Sequence, residues 1–90
     1  MTIEWNEEKA RENVRKHGVT FHEAASVFGD PLAMTSADPE HSTTEQRYLT
    51  FGVSRFGQRV VVSHADYGDR VRIINARIMT RSEKRIYEEG

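Results

Sequence analysis

Arg47-Tyr48-Leu49-Thr50-Phe51-Gly52-Val53-Ser54, then Arg55-Phe56-Gly57-Gln58, then Arg59-Val60-Val61-Val62-Ser63-His64-Ala65 is the stretch that decides the fold. Arg47, Leu49, Phe51 and Val53 alternate with Tyr48, Thr50, Gly52 and Ser54, the period of two that marks a half-buried strand. Arg55 to Gln58 is a hairpin turn. The segment centred on Val60-Val61-Val62 is apolar on both faces, so it reads as a central strand. Asp66-Tyr67-Gly68-Asp69 is a second hairpin turn, and Arg70 to Arg77 is the last strand. Upstream, Leu32-Ala33-Met34-Thr35 reads as a further strand, followed by the polar loop Ser36-Ala37-Asp38-Pro39-Glu40-His41-Ser42.

Outside this block the helical signals take over. Ile3-Glu4-Trp5 is long enough only for a short edge strand. Asn6 is an N-cap with Glu7 and Glu8 in the first turn, where the helix dipole favours anions. Lys16-His17 supply cations at the helix end and Gly18 the left-handed stop. Thr20-Phe21-His22-Glu23 spells a capping box for a second short helix, with Phe21, Ala24, Ala25 and Phe28 on its buried side and Gly29-Asp30-Pro31 as its end. Thr80-Arg81-Ser82-Glu83 spells another, for a final helix docked by Ile86 and Tyr87. The expectation is an α+β domain in the order β-α-α-β-β-β-β-α: an antiparallel sheet meander covered by two N-terminal helices and one C-terminal helix.

Ninety residues make one domain, residues 1–90, without repeats or linkers. At 37% hydrophobic and 30% charged the chain is neither a disordered tail nor a membrane protein, and it has no run of about 18 apolar residues. The absence of cysteine excludes disulfides, thiolate nucleophiles and zinc fingers. The N-terminus lacks the basic flank and apolar run of a signal peptide, so the expected address is the cytoplasm. The net charge of −1 hides an asymmetry: residues 1–45 carry −5, residues 46–87 carry +6, and Glu88 and Glu89 follow. A basic half attracts a polyanion locally even on a neutral protein.

The last strand presents Arg70, Arg72, Ile74 and Ala76 on one side and Val71, Ile73, Asn75 and Arg77 on the other. Arg70 and Arg72 on one face, with Arg77 at the strand end, can surround a phosphate with bidentate forks. Arginines on an exposed strand also serve solubility and edge protection. His17, His22, His41 and His64 are candidate acids or bases, but no pair has metal-ligand spacing. His41 stands four residues before Glu45, with Arg47 and Tyr48 beyond, a cluster offering acid, base and charge stabiliser without a metal. His64 reads as a partly buried structural histidine and His22 as a surface residue. Ser42 and Ser63 have histidines nearby, but neither lies in a nucleophile elbow. Trp5, Phe56 and Tyr67 are able to stack bases, although Phe and Trp in a small domain are more often core.

Taken in order, Trp5-Asn6-Glu7-Glu8-Lys9, Asn13, Lys16-His17-Gly18-Val19, Phe21-His22-Glu23-Ala24, Val27-Phe28 and Asp30-Pro31 form a familiar series. His41-Ser42, Glu45, Arg47, Gly52, Ser54, Gly57, Arg72-Ile73-Ile74-Asn75-Ala76-Arg77, Glu83 and Tyr87 continue it. Over residues 3–87 the chain resembles the BrnT family, ribonuclease toxins of type II toxin–antitoxin pairs. Asn75 stands where the family's pattern has serine more often, and His64 where an aromatic or small polar residue is expected. The resemblance implies a RelE-like fold and a cofactor-free, metal-independent endoribonuclease that inhibits translation and arrests growth. It also implies a cognate antitoxin with a DNA-binding half, through which alone the pair reaches operator DNA. Arg72 and Arg77 then suit the phosphorane, Glu45 or His41 the base, and His17 or Lys16 an acid or a phosphate contact. Arg47, Tyr48 and Arg70 suit RNA binding, with Tyr48 orienting a base or sharing a proton. The competing reading is a binding module of the same fold that holds RNA or protein without cutting.

Overall fold

The computed structural model describes residues 1–41 and 45–90. Their order is β1 (Thr2–Glu4), α1 (Glu7–His17), α2 (Phe21–Ser26), β2 (Met34–Ala37), β3 (Arg47–Val53), β4 (Arg59–Tyr67), β5 (Arg70–Ile78) and α3 (Arg81–Glu89). Short 3-10 turns lie at Val27–Gly29 and Pro39–His41. Ser42, the serine beside His41, falls outside the described residues.

Local chemistry sets the helix ends. The Asn6 side chain accepts from the Lys9 amide at 3.0 Å, and Gly18, at φ 70°, donates to the Val14 carbonyl at 2.8 Å. Thr80 and Glu83 complete a reciprocal capping box, with the Thr80 hydroxyl taking the Glu83 amide and the Glu83 carboxylate taking the Thr80 amide. The box expected at Thr20 is only half made. Thr20 takes the Glu23 amide, but the buried Glu23 carboxylate accepts instead from the Ser54 hydroxyl and the Gln58 amide, each at 2.7 Å. A buried charge needs such partners, and here they clamp the β3–β4 hairpin onto α2.

Among the described residues five strands form one sheet in the order β1-β5-β4-β3-β2. β2 to β5 are antiparallel to their neighbours, but β1 runs parallel to β5, with Thr2, Ile3 and Glu4 opposite Arg70, Val71 and Arg72. The sheet is therefore mixed, because a parallel pair tolerates a long crossover and nearly the whole chain intervenes. β2 begins two residues later than expected. Pro31 and the Asp30 side chain, which accepts from the Leu32 amide, hold the chain in a turn up to Ala33.

One sheet face carries the core. Val19, Phe21, Ala24 and Val27 pack on Val60, Val62, Ile73 and Ala76. Trp5 meets Phe21 edge to face with centroids 6.0 Å apart, so this residue belongs to the helix layer and not to β1. Gly52 lets the chain after α2 approach closely: a Cβ there would stand 2.9 Å from Val27 Cγ1 and 3.0 Å from Asp30 Oδ2. Asn13 does something no pattern announces. Its buried amide donates to the Val19 and Ala76 carbonyls at 2.9 Å and accepts from the Ala76 amide at 3.1 Å. A side chain thus pairs with β5 where β1 has ended. α3 leans on the opposite face, where Ile86 shares a groove with Met34 and Phe51.

Strict alternation fails in β5. Ser63 pairs with Asn75 but His64 pairs with Ile73, so Ile74 is an extra residue. Arg72 lies opposite Ala65 and Arg77 opposite Val61. Ala65 and Val61 are four apart on β4 and share a face, so Arg70, Arg72, Asn75 and Arg77 do too. The expectation that Arg77 sits on the far side of the strand from Arg72 is corrected by this bulge.

Candidate functional site

The face opposite the helical core is lined by arginines. Its cross-strand rows run Arg47–Ala65–Arg72, Leu49–Ser63–Asn75 and Phe51–Val61–Arg77. At the first row Glu45, only 17% exposed at its side chain, gathers several donors. Its Oε1 accepts from Arg72 Nη2 at 2.6 Å and from Arg47 Nε at 3.3 Å, and its Oε2 accepts from the Tyr67 hydroxyl. The guanidinium groups of Arg72 and Arg70 lie over the Tyr67 ring at 5.7 and 6.0 Å from its centroid. The Tyr67 hydroxyl, with Arg72 and Arg47, holds the Glu45 carboxyl below the usual carboxylate range. In return the Glu45 carboxylate raises the Tyr67 phenol. The result is a carboxylate kept ionised between two fixed cations, beside an aromatic ring.

At the other end of the face Arg77 makes a bidentate pair with Glu83, at 2.7 and 3.0 Å. Arg77 and the Thr80 amide bring the Glu83 carboxyl down to about 2, and Glu83 raises Arg77. Because Glu83 also closes the capping box, Arg77 is built into the start of α3. Arg70 is exposed and 3.6 Å from Glu4.

Several candidates fall elsewhere. Tyr48, one residue from Arg47, points to the opposite face and stacks on His64 with centroids 5.8 Å apart. The alternation of β3 dictates this, and it separates Tyr48 from the arginines. His41 is exposed on its 3-10 turn and bonds Asp38 at 2.9 Å, with no contact to Glu45 among those the structure gives. Lys16 and His17 lie exposed at the end of α1 and line a depression with Ile74 and Asn75, at the bulged edge of β5. His64 is fully buried and His22 is exposed against Trp5. Phe56 is exposed beneath Arg55. Sequence reasoning underrated Tyr67, placing it in a turn; the signal was its neighbourhood, an aromatic between the basic strand and its hairpin partner. Among the described residues no group of three or more histidines and carboxylates is placed to hold a metal ion.

The domain is thus a small α+β sheet with α1 and α2 on one face and, on the other, α3 at one end and the arginines of β3 and β5 beside it. The sequence model of the family described as "Ribonuclease toxin, BrnT, of type II toxin-antitoxin system" matches residues 5–83, and the chain belongs to that family. It also resembles in fold a crystal structure of the Brucella abortus ribonuclease toxin BrnT, with 20% identity, a TM-score of 0.65, and 90% of this chain and 99% of that one covered. No curated protein sequence matches it significantly. Membership of a type II pair carries with it an antitoxin partner.

Proposed function

We propose that this domain, which we read as RelE-like, cuts RNA on the open arginine face without a metal ion, and that the cutting inhibits translation in the cytoplasm and arrests growth. The observation that carries the reading is the Glu45 carboxylate held between Arg72, Arg47 and Tyr67 on the face free of the helical core. Metal-free cleavage needs a base for the 2′-hydroxyl, cations on the phosphorane and a proton for the leaving 5′-oxygen. Glu45, ionised and touching Arg72, is better placed as base than His41. The 2′-oxygen attacks phosphorus as its proton passes to Glu45, the bond to the 5′-oxygen breaks, and a 2′,3′-cyclic phosphate and a 5′-hydroxyl result. Arg72 and Arg47 stabilise the crowded phosphorane, Arg70 and Lys16 take flanking phosphates, and the Tyr67 ring stacks a base. His17, exposed at the β5 edge, supplies the proton for the leaving oxygen.

The same charges suit the antitoxin. We assign it an acidic segment that covers Arg70, Arg72 and Arg77 and excludes RNA, joined to a DNA-binding half through which the pair reaches its operator. Raised salt then weakens RNA binding and antitoxin association together. Indifference of the complex to ionic strength and to charge reversal at Arg70 would show that the two do not share this surface.

The test is RNA cleavage by the purified chain with a metal chelator present, with analysis of the product ends, alongside Arg72→Ala. Cyclic phosphate ends from the parent and loss of cutting by the folded variant are expected. A requirement for divalent metal removes the mechanism. RNA binding without cutting selects the binding-module reading. Unchanged toxicity of a folded Arg72→Ala, Arg77→Ala double variant moves attention to Lys16, His17 and His41.

A further inference from the structure

The bulge at Ile74 is what allows Arg72 and Arg77, five residues apart, to share a face. Five is an odd separation, so in a regular strand one of them would point into the helical core. Something must therefore hold β4 and β5 against a one-residue slip. On the β5 side, Asn13 grips both backbone groups of Ala76. On the β4 side the residue at the break is His64, 2% exposed. Both its ring nitrogens are engaged: Nδ1 with Asp66 Oδ1 and Nε2 with Thr50 Oγ1, each at 2.7 Å. Thr50 Oγ1 continues to Thr35 Oγ1 at 2.8 Å. The ring stands edge-on to Phe28 at 5.0 Å and lies stacked on Tyr48. One side chain thus ties β4 to β3, through β3 to β2, and to the 3-10 turn after α2.

We infer that His64 is a positioning residue: by fixing β4 at the register break, it holds the bulge that places Arg72 and Arg77 on one face. Asp66 orients the ring as acceptor for the Nδ1 proton, and Thr50 answers the other nitrogen. The Ile74 residue is then trapped between two clamps, His64 on one strand and Asn13 on the other, and neither strand can slide without breaking buried hydrogen bonds.

The catalytic half of the test rests on the proposed cleavage at Arg72; the structural half does not. His64→Leu fills the space against Phe28 and Tyr48 while removing both hydrogen bonds. It is expected to lower kcat by about 10²-fold, the scale of a misplaced catalytic group, with KM little changed. The NMR contacts that report the pairings of Ser63 with Asn75 and of residue 64 with Ile73 should weaken or shift. His64→Gln, whose amide can still meet Thr50, should recover part of the loss. If His64→Leu does not fold, Thr50→Val and Asp66→Ala each remove one partner and should show the same split in smaller measure. The cross-strand contacts decide the inference even if the parent chain cuts no RNA. Their persistence in His64→Leu, or in both partner variants where that one is unfolded, overturns it.

Discussion

Arg72 and Arg77 stand on the same face of β5, yet Arg77 gives both terminal nitrogens to Glu83, while Arg72 gives one to a carboxylate it shares with Arg47 and Tyr67. Glu83 is itself locked by the Thr80 amide at the start of a helix. Glu45 belongs to the chain leading into β3 and touches side chains alone among its known partners. The difference separates a cation saturated by a rigid partner from one that shares its carboxylate with two other donors. Residue type alone says nothing of this; the second carboxylate oxygen and what it binds say most of it.

The largest effect expected from this contrast is in catalysis. Arg72→Ala should reduce RNA turnover by about 10²–10³-fold, by analogy with removing one oxyanion donor, with the melting temperature nearly unchanged. An equal loss in Arg77→Ala without a change in melting would break the contrast and make the two arginines one site. Glu45→Gln should follow with about a 10²-fold loss, within the range for a general base. Its pH–rate profile should also lose the acid limb, which in the parent lies below the usual carboxylate range because Tyr67 and the arginines hold Glu45 ionised.

At the other pair the effect should appear in stability. Arg77→Ala or Glu83→Gln is expected to cost about 1 kcal/mol, the upper end for a partly exposed ion pair, or roughly 4–8 °C of melting temperature in a domain of this size. A double-mutant cycle should show that the two losses do not add. The smallest effect is in the acid unfolding curve. The Glu83 carboxyl is depressed from 4.5 to about 2 in the fold, so its contribution is whole above 4.5 and disappears as pH falls toward 2. Glu83→Gln should flatten that part of the curve; an unchanged curve would place the acid sensitivity elsewhere.

Much of this architecture was written in short-range signals. Asn6, Gly18 and Thr80 marked helix ends because each acts within a few residues, and the alternation around Thr50 and Phe51 marked β3. The parallel seat of β1 was not legible, since it depends on where the last strand arrives. Nor was the role of Asn13, whose partner Ala76 is 63 residues away, or the meeting of Tyr67 with Glu45. The bulge left a faint trace: apolar positions shift from Val71 and Ile73 to Ala76 and Ile78, a change of parity that apolar Ile74 disguises. The site candidates divide on the same physics. Glu45 meets Arg47 and Arg72 across β4, whose small Ala65 separates the two arginines on one row, and Arg70 joins them only through the Tyr67 ring. Tyr48, by contrast, was turned away by the very alternation that predicted its strand.

The parallel pairing of β1 with β5 also has a bearing on the order of synthesis. A chain emerges from the ribosome N-terminus first, so Ile3 must wait for Val71 before the sheet can close. Arg77 must wait longer, for the Glu83 that holds it. The arginine face therefore takes its final form only after Glu83 has been made, later than the strand that carries its arginines.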